Sequence, residues 1–191
     1  MSWISRPSIW CPGECSMSVL GRHALELQRR GNEVVALDVS GGAVDACAAR
    51  GVEQTFLGPV PAPAAKQPQR FDAIVMMGNN VALLASEVAS RRTFEAMRRL
   101  LVPGGMVVGM CTTPYLTDDP NHLAYQRSNI DRGRMGGHVA IGVRYRRLAT
   151  DWFDYLLMAP DELRGLAEVA GWTVVDVTEP DPSYLAVMRP C

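Results

Sequence analysis

Residues 22–51 read RHALELQRRGNEVVALDVSGGAVDACAARG, and this stretch decides the fold. RHALELQRRG is a short helix that stops on Gly31, a residue favoured just past a helix C-terminus. EVVALDVS follows as an apolar run without clean alternation, the pattern of a strand covered on both faces. GGAVDACAARG is a second helix, closed in the same way by Gly51. Helix, buried strand and helix in about 30 residues are the repeating unit of a parallel sheet with helices on both sides.

Working outward, the rhythm continues. VEQTFLG (52–58) is extended, and PVPAPAAKQPQR (59–70), with four prolines, is a loop. FDAIVMM (71–77) is the next buried strand. A helix is expected from Val81 to Leu101, where Leu84, Val88, Phe94, Met97 and Leu101 recur at mostly helical spacing. VPGG breaks it and MVVGM (106–110) resumes as a strand. The fold class is therefore α/β, a doubly wound, mostly parallel sheet.

The second half changes character. HVAIGVRYRR (138–147) alternates as one half-exposed antiparallel strand, with DWFDYLLM (151–158) as its partner. PDELRGLAEVAGW is a helix with Pro160 in its first turn and Gly171 at its end. TVVDVTE and SYLAVMR then form a closing antiparallel hairpin around PDP. No repeat and no second domain is visible, so residues 21–191 form a single domain, with 1–20 as an atypical segment.

Composition narrows the function. The chain has 191 residues, 48% of them apolar and 20% charged, which suits one folded domain. A net charge of -1 gives no global case for nucleic acid or an acidic membrane. No apolar run reaches the roughly 18 to 20 residues that span a bilayer, and no signal peptide is apparent, so a cytoplasmic protein is expected. Lys66 is the only lysine against 18 arginines, as in a GC-rich genome. The five cysteines read as scattered, unpaired thiols. Cys11 and Cys15 have metal-like spacing, but no second Cys or His pair stands nearby to complete a site, and no metal is expected.

In an open parallel sheet, ligands sit beyond the carboxyl ends of the strands where strand order reverses. An acid ending the second strand is placed to accept from ribose hydroxyls, and Asp38 stands there, 17 residues after Gly21. The bland role for Asp38 is to cap the helix that begins at GGAVDAC.

Taken in order, GRHALELQRRG-x-EVVALDVS, FDAIVMM, LLVPGG-MVVG and the closing GW…YLAV hairpin resemble a bacterial class I S-adenosylmethionine-dependent methyltransferase. The resemblance covers residues 19–190, and LLVPGG joining helix to strand is its most telling part. It implies a Rossmann-like, seven-stranded sheet with the last strand antiparallel, and S-adenosylmethionine as cofactor. It also implies that Gly21, Asp38, Val39, Met77, Gly78 and Asn79 line the cofactor cleft.

One motif departs from the family. Where its members read roughly V-L-D-x-G-x-G-x-G before the first helix, this chain reads CPGECSMSVLGRHAL (11–25). If the codons for Pro12 to Gly21 carry G or C at free third positions, reading one base earlier gives R-G-V-L-D-V-G-A-G, the missing motif. The expectation is that residues 1 to about 20 are read out of frame, pack poorly and supply no central strand.

The acceptor side is placed at TDDPNHLAYQRSNIDRGRMGG (117–137), a polar segment poorly patterned for a helix that follows the last parallel strand. His122 and Tyr125 are its acid–base candidates. Residues 127–147 hold six arginines against one acid, Asp131. Arg132, Arg134, Arg144 and Arg146 are the candidates for an anionic small-molecule acceptor, with Arg144 and Arg146 sharing one strand face. Nucleic acid is disfavoured as an acceptor because the basic stretch is short. Two other readings stand beside the methyltransferase: a nicotinamide-dependent oxidoreductase using the same acid, and a degenerate, non-catalytic binding protein.

Overall fold

A computed structural model describes residues 8–12, 21–59, 71–178 and 182–191. Its centre is a seven-stranded sheet of order β10-β11-β5-β4-β1-β2-β3. The strands are β1 (Ser8–Pro12), β2 (Glu33–Asp38), β3 (Gln54–Leu57), β4 (Phe71–Met76), β5 (Leu101–Thr112), β10 (Trp172–Thr178) and β11 (Ser183–Pro190). β1 to β5 are mutually parallel, while β11 runs antiparallel to both β5 and β10. The doubly wound sheet and the closing hairpin stand as expected. The antiparallel β11 also departs from the dinucleotide-binding arrangement, which removes support from the oxidoreductase reading.

β2 shows why its sequence does not alternate. Val34 and Ala36 face one side, packing with Ala24 of α1 (Arg22–Arg29), Ala43 and Cys47 of α2 (Gly41–Ala49), and Val52. Val35 and Leu37 face the other side, in the larger core with Phe94 and Met97 of α3 (Glu87–Leu100) and Leu163 and Leu166 of α5 (Pro160–Val169). Both faces are dry, so Val34 to Leu37 are all apolar, between Glu33 and Asp38.

Several expectations are corrected. Residues 1–18 do supply a central strand: Ser8–Pro12 pairs parallel with both β2 and β4. Those two strands would otherwise leave two buried edges of unpaired N–H and C=O groups, and five residues close the gap. Residues 13–20, where the family's glycine motif is missing, and residues 60–70 of the expected loop lie outside the described residues. The single helix from Val81 to Leu101 is instead a 3-10 turn (Asn80–Leu84) followed by α3. The break falls at Ala85 (φ 63°), and the Ser86 hydroxyl caps α3 by accepting from the Ala89 N–H at 3.2 Å. VPGG does not separate helix from strand: β5 begins at Leu101, and VPGG arches out within it. Between the paired positions there are two steps along β4, Phe71 to Ala73, and five along β5, Leu101 to Met106.

The insertion between β5 and α5 also differs. The segment read as irregular contains helix α4 (Pro120–Asp131), begun by Asp119, whose carboxylate accepts from Asn121 N–H at 2.7 Å. Its surface is largely exposed, so no apolar stripe marked it. Buried Asn129 ties its end down by donating to the carbonyls of Gly136 (3.0 Å) and His138 (2.6 Å). HVAIGVRYRR is not one strand. β6 (His138–Ile141) pairs with β9 (Phe153–Leu156), and a separate small ribbon joins β7 (Arg144–Tyr145) to β8 (Leu148–Ala149). Cys47 is disulfide-bonded rather than a stray thiol.

Candidate active site

The strand order reverses between β1 and β4, and ligands of open parallel sheets sit beyond the carboxyl ends of the strands at such a point. Asp38 ends β2 there, only 2% exposed. Its Oδ1 accepts the Ser40 N–H at 2.7 Å, and the helix cap falls to Ser40, whose Oγ accepts from the Ala43 N–H. Asp38 therefore fixes the turn that starts α2 and does not cap it. Val39 beside it is 70% exposed, an apolar surface at the rim.

Across β1, about 10 Å away by strand spacing, β4 ends in Met77, Gly78 and Asn79. Gly78 (φ 64°) and Asn79 (φ 72°) are both left-handed, which turns the chain sharply away from the sheet. A side chain at Gly78 would meet nothing within 4 Å, so the space above it is open. The Asn79 amide Oδ1 is buried with no hydrogen-bond partner among the described residues. The phenol of Tyr155, on β9, donates to the Asn79 carbonyl at 2.8 Å. Gly21 sits at the start of α1, buried, with its φ at 79° and its α-carbon packed toward Cys47 and Val52.

Beyond the end of β5 lies a cleft of about 660 Å³. Its floor is Thr112 and Thr113, one wall is α4 with Asn121, His122 and Tyr125, and the opposite wall includes Val139, Ala140 and Leu157. The structure thus brings His122 and Tyr125 together on one surface. His122 Nδ1 lies 3.0 Å from Thr117 Oγ1, which also accepts the Asp119 N–H at 3.3 Å. Gln126 is occupied elsewhere, donating to the Pro114 carbonyl at 2.7 Å.

The arginines do not join them. None of Arg132, Arg134, Arg144 and Arg146 is among the described residues lining this cleft. Arg132 follows α4 and Arg134 lies in the next turn, both exposed. Arg144 is on β7, but Arg146 is in the turn after it with φ 54°, so the two do not share a strand face. A single strand was expected there; the tight turn prevents it.

Sequence reasoning missed Thr112, Thr113, Thr117, Asn121 and Tyr155. A signal existed for the first pair, since CTT closes the apolar run MVVGM at a carboxyl strand end. Tyr155 had none, because its partner is 76 residues away. Burial pushes its phenol up to about 12. Tyr115 is raised as well, by burial and by its hydrogen bond to Glu162, so both phenols serve as donors and not as bases near neutral pH.

Residues 19–105 match the family model described as a methyltransferase domain. No curated protein sequence matches the chain. Among solved structures, a SAM-dependent methyltransferase from Bacteroides fragilis in complex with S-adenosyl-L-homocysteine is similar over 98% of this chain and 74% of its own, at 24% identity and TM-score 0.79. A SAM-dependent methyltransferase from Methanosarcina mazei aligns over 97% of this chain and 92% of its own, at 14% identity and TM-score 0.72. A 1,6-didemethyltoxoflavin-N1-methyltransferase from Burkholderia thailandensis, with 1,6-didemethyltoxoflavin and S-adenosylhomocysteine bound, aligns over 96% of this chain and 70% of its own, at 19% identity and TM-score 0.63. Among the described residues no helix is long and apolar enough to cross a membrane.

Proposed function

We propose that the chain is a class I S-adenosylmethionine-dependent methyltransferase that methylates a small molecule held in the cleft beyond β5. The observation that carries this reading is Asp38, a nearly buried carboxylate closing β2 at the edge where the strand order reverses.

The residues present fit the cofactor. Asp38 would accept from the two ribose hydroxyls, and exposed Val39 offers an apolar face to a flat base. The open space over Gly78 and the unmatched amide oxygen of Asn79 would take polar groups of the same molecule, with Met77 beside them. Gly21 contributes by seating α1 closely against α2 and Val52. When bound, S-adenosylmethionine supplies an electrophilic methyl group on a positively charged sulfur.

What the chain itself must do is align a nucleophile with that methyl group and keep water out. Thr112 and Thr113 can orient the acceptor from the strand end, and His122 can take its proton, with Tyr125 closing the outer wall. The acceptor is a small molecule; neither nucleic acid nor a membrane is called for. An anionic acceptor, expected from the arginines, draws no support from the cleft's lining.

Calorimetric titration with S-adenosylhomocysteine tests the reading. Saturable binding is expected, weakened by roughly 10- to 100-fold in Asp38→Asn, the scale of hydrogen bonds to a charged group. NAD should not compete. A folded chain that ignores S-adenosylhomocysteine, or binds NAD in its place, would sink the proposal.

A further inference from the structure

Resting on that methyltransferase reading, we propose that the cleft beyond β5 selects an uncharged, ring-bearing acceptor whose nucleophile is a phenol-type hydroxyl or a ring N–H, and that it rejects carboxylates and phosphates.

Three observations converge. First, none of the described side chains lining the cleft is an Asp, Glu, Lys or Arg; His122 is its one titratable cation. An anion entering would lose its water and gain no guanidinium fork, a loss that polar but uncharged walls do not offset. Second, the volume of about 660 Å³ lies within the usual range for a small-molecule site of one or two rings. Leu116, Val139 and Leu157 give it apolar walls, and the Tyr125 ring offers a face for stacking. Third, the imidazole is braced from one side only. His122 Nδ1 and Thr117 Oγ1 lie 3.0 Å apart, and in the tautomer in which Nδ1–H donates, the lone pair on Nε2 is left to accept a proton. A nucleophile that carries a proton uses that arrangement, and a carboxylate has none to give.

The step balances without any further reactant. The acceptor oxygen or nitrogen bonds to the methyl carbon as the S–C bond breaks. The S–C electron pair stays on sulfur, whose positive charge is neutralised. The acceptor's proton passes to His122 Nε2 and then to solvent.

The test uses 2-naphthol, 2-naphthoate and 2-naphthyl phosphate, titrated into the full chain with and without saturating S-adenosylhomocysteine. Naphthol is expected to bind at least 10-fold more tightly than either anion. Ala140→Trp, which fills the cleft from an exposed position, should abolish naphthol binding and leave S-adenosylhomocysteine affinity unchanged. Leu116→Trp, also exposed, is the second filling variant. Equal or tighter binding of an anion, no binding of naphthol to the loaded protein, or undiminished naphthol binding in both filled variants would overturn the proposal. If S-adenosylhomocysteine itself fails to bind, the methyltransferase reading falls, and the titrations without it still decide the cleft's selectivity.

Discussion

The Tyr155 hydroxyl donates to the Asn79 carbonyl at 2.8 Å, which joins β9 of the insertion to the turn that ends β4. That bond links the two halves of the site. On the proposed reading Asn79 would lie on the cofactor side, whereas β9 pairs with β6, whose Val139 and Ala140 line the cleft proposed for the acceptor. Tyr155 is a positioning residue for both.

Replacing Tyr155 with Phe removes one of the two hydrogen bonds that the Asn79 carbonyl accepts, the other coming from the Ala82 N–H at 3.1 Å, at a cost of about 0.5–1.5 kcal/mol. Urea unfolding should register that loss. Affinity for S-adenosylhomocysteine should fall in the same variant by more than in Phe153→Leu, which thins the same small sheet without touching Asn79. Equal losses in the two variants would reduce Tyr155 to a packing role.

Alkaline pH should loosen the fold through its buried phenols. Burial raises the Tyr155 phenol to about 12, against about 10 for an unfolded tyrosine, and burial pushes Tyr184 up further. Above pH 10 the unfolded chain therefore binds fewer protons than the folded one, so stability falls as pH rises. The contribution is complete below about pH 10 and is lost through about pH 12. Urea midpoints should be flat up to about pH 9 and drop beyond about pH 10, less steeply in Tyr155→Phe. A midpoint that climbs over that range would contradict the assignment.

Gly21 tolerates no side chain, for two reasons. Its φ of 79° lies in the left-handed region, and a Cβ there would stand 3.0 Å from both Cys47 Sγ and Val52 Cγ2. Gly21→Ala should destabilise the chain by roughly 1–3 kcal/mol, measured as a lower urea midpoint. Gly42→Ala, where a side chain would meet nothing within 4 Å, serves as the control and should be near neutral or mildly stabilising.

The sequence before Arg22 offers a sharper experiment. Substituting V-L-D-V-G-A-G and a closing glycine for the residues ahead of the first helix should tighten S-adenosylhomocysteine binding, because glycines let the backbone approach a ligand that bulkier residues hold off. Calorimetry on the two chains decides it. Unchanged affinity would mean that the motif contributes nothing here, and sequencing the gene would separately reveal whether the bases encode it one frame away.

Much of the sheet around Asp38 was legible in the residues because its signals are local. Asp38 ends an apolar run, glycine stops follow α1 and α2, and a hairpin closes the chain; each is a pattern within about ten residues. The acceptor side was not. α4 is held by Asn129 and Gln126 bonding to neighbouring carbonyls and not by an apolar stripe, so its period is absent from the sequence. The arginines looked like a site because they cluster along the chain, yet the turn at Arg146 and the exposure of Arg132 and Arg134 keep them off the cleft.

The amino-acid sequence by itself determined the alternation of helix and buried strand, the antiparallel close and the acid at the end of β2. Periodicity, glycine stops and strand-end residues act over a turn or two of chain, and no distant partner is needed to set them. Only the tertiary structure decided that Ser8–Pro12 fills the centre of the sheet, that Tyr155 reaches Asn79, and that the cleft beyond β5 has uncharged walls. Those outcomes depend on which unpaired backbone edges and side chains meet after the strands have stacked, and such meetings leave no trace in the spacing of residues along the chain.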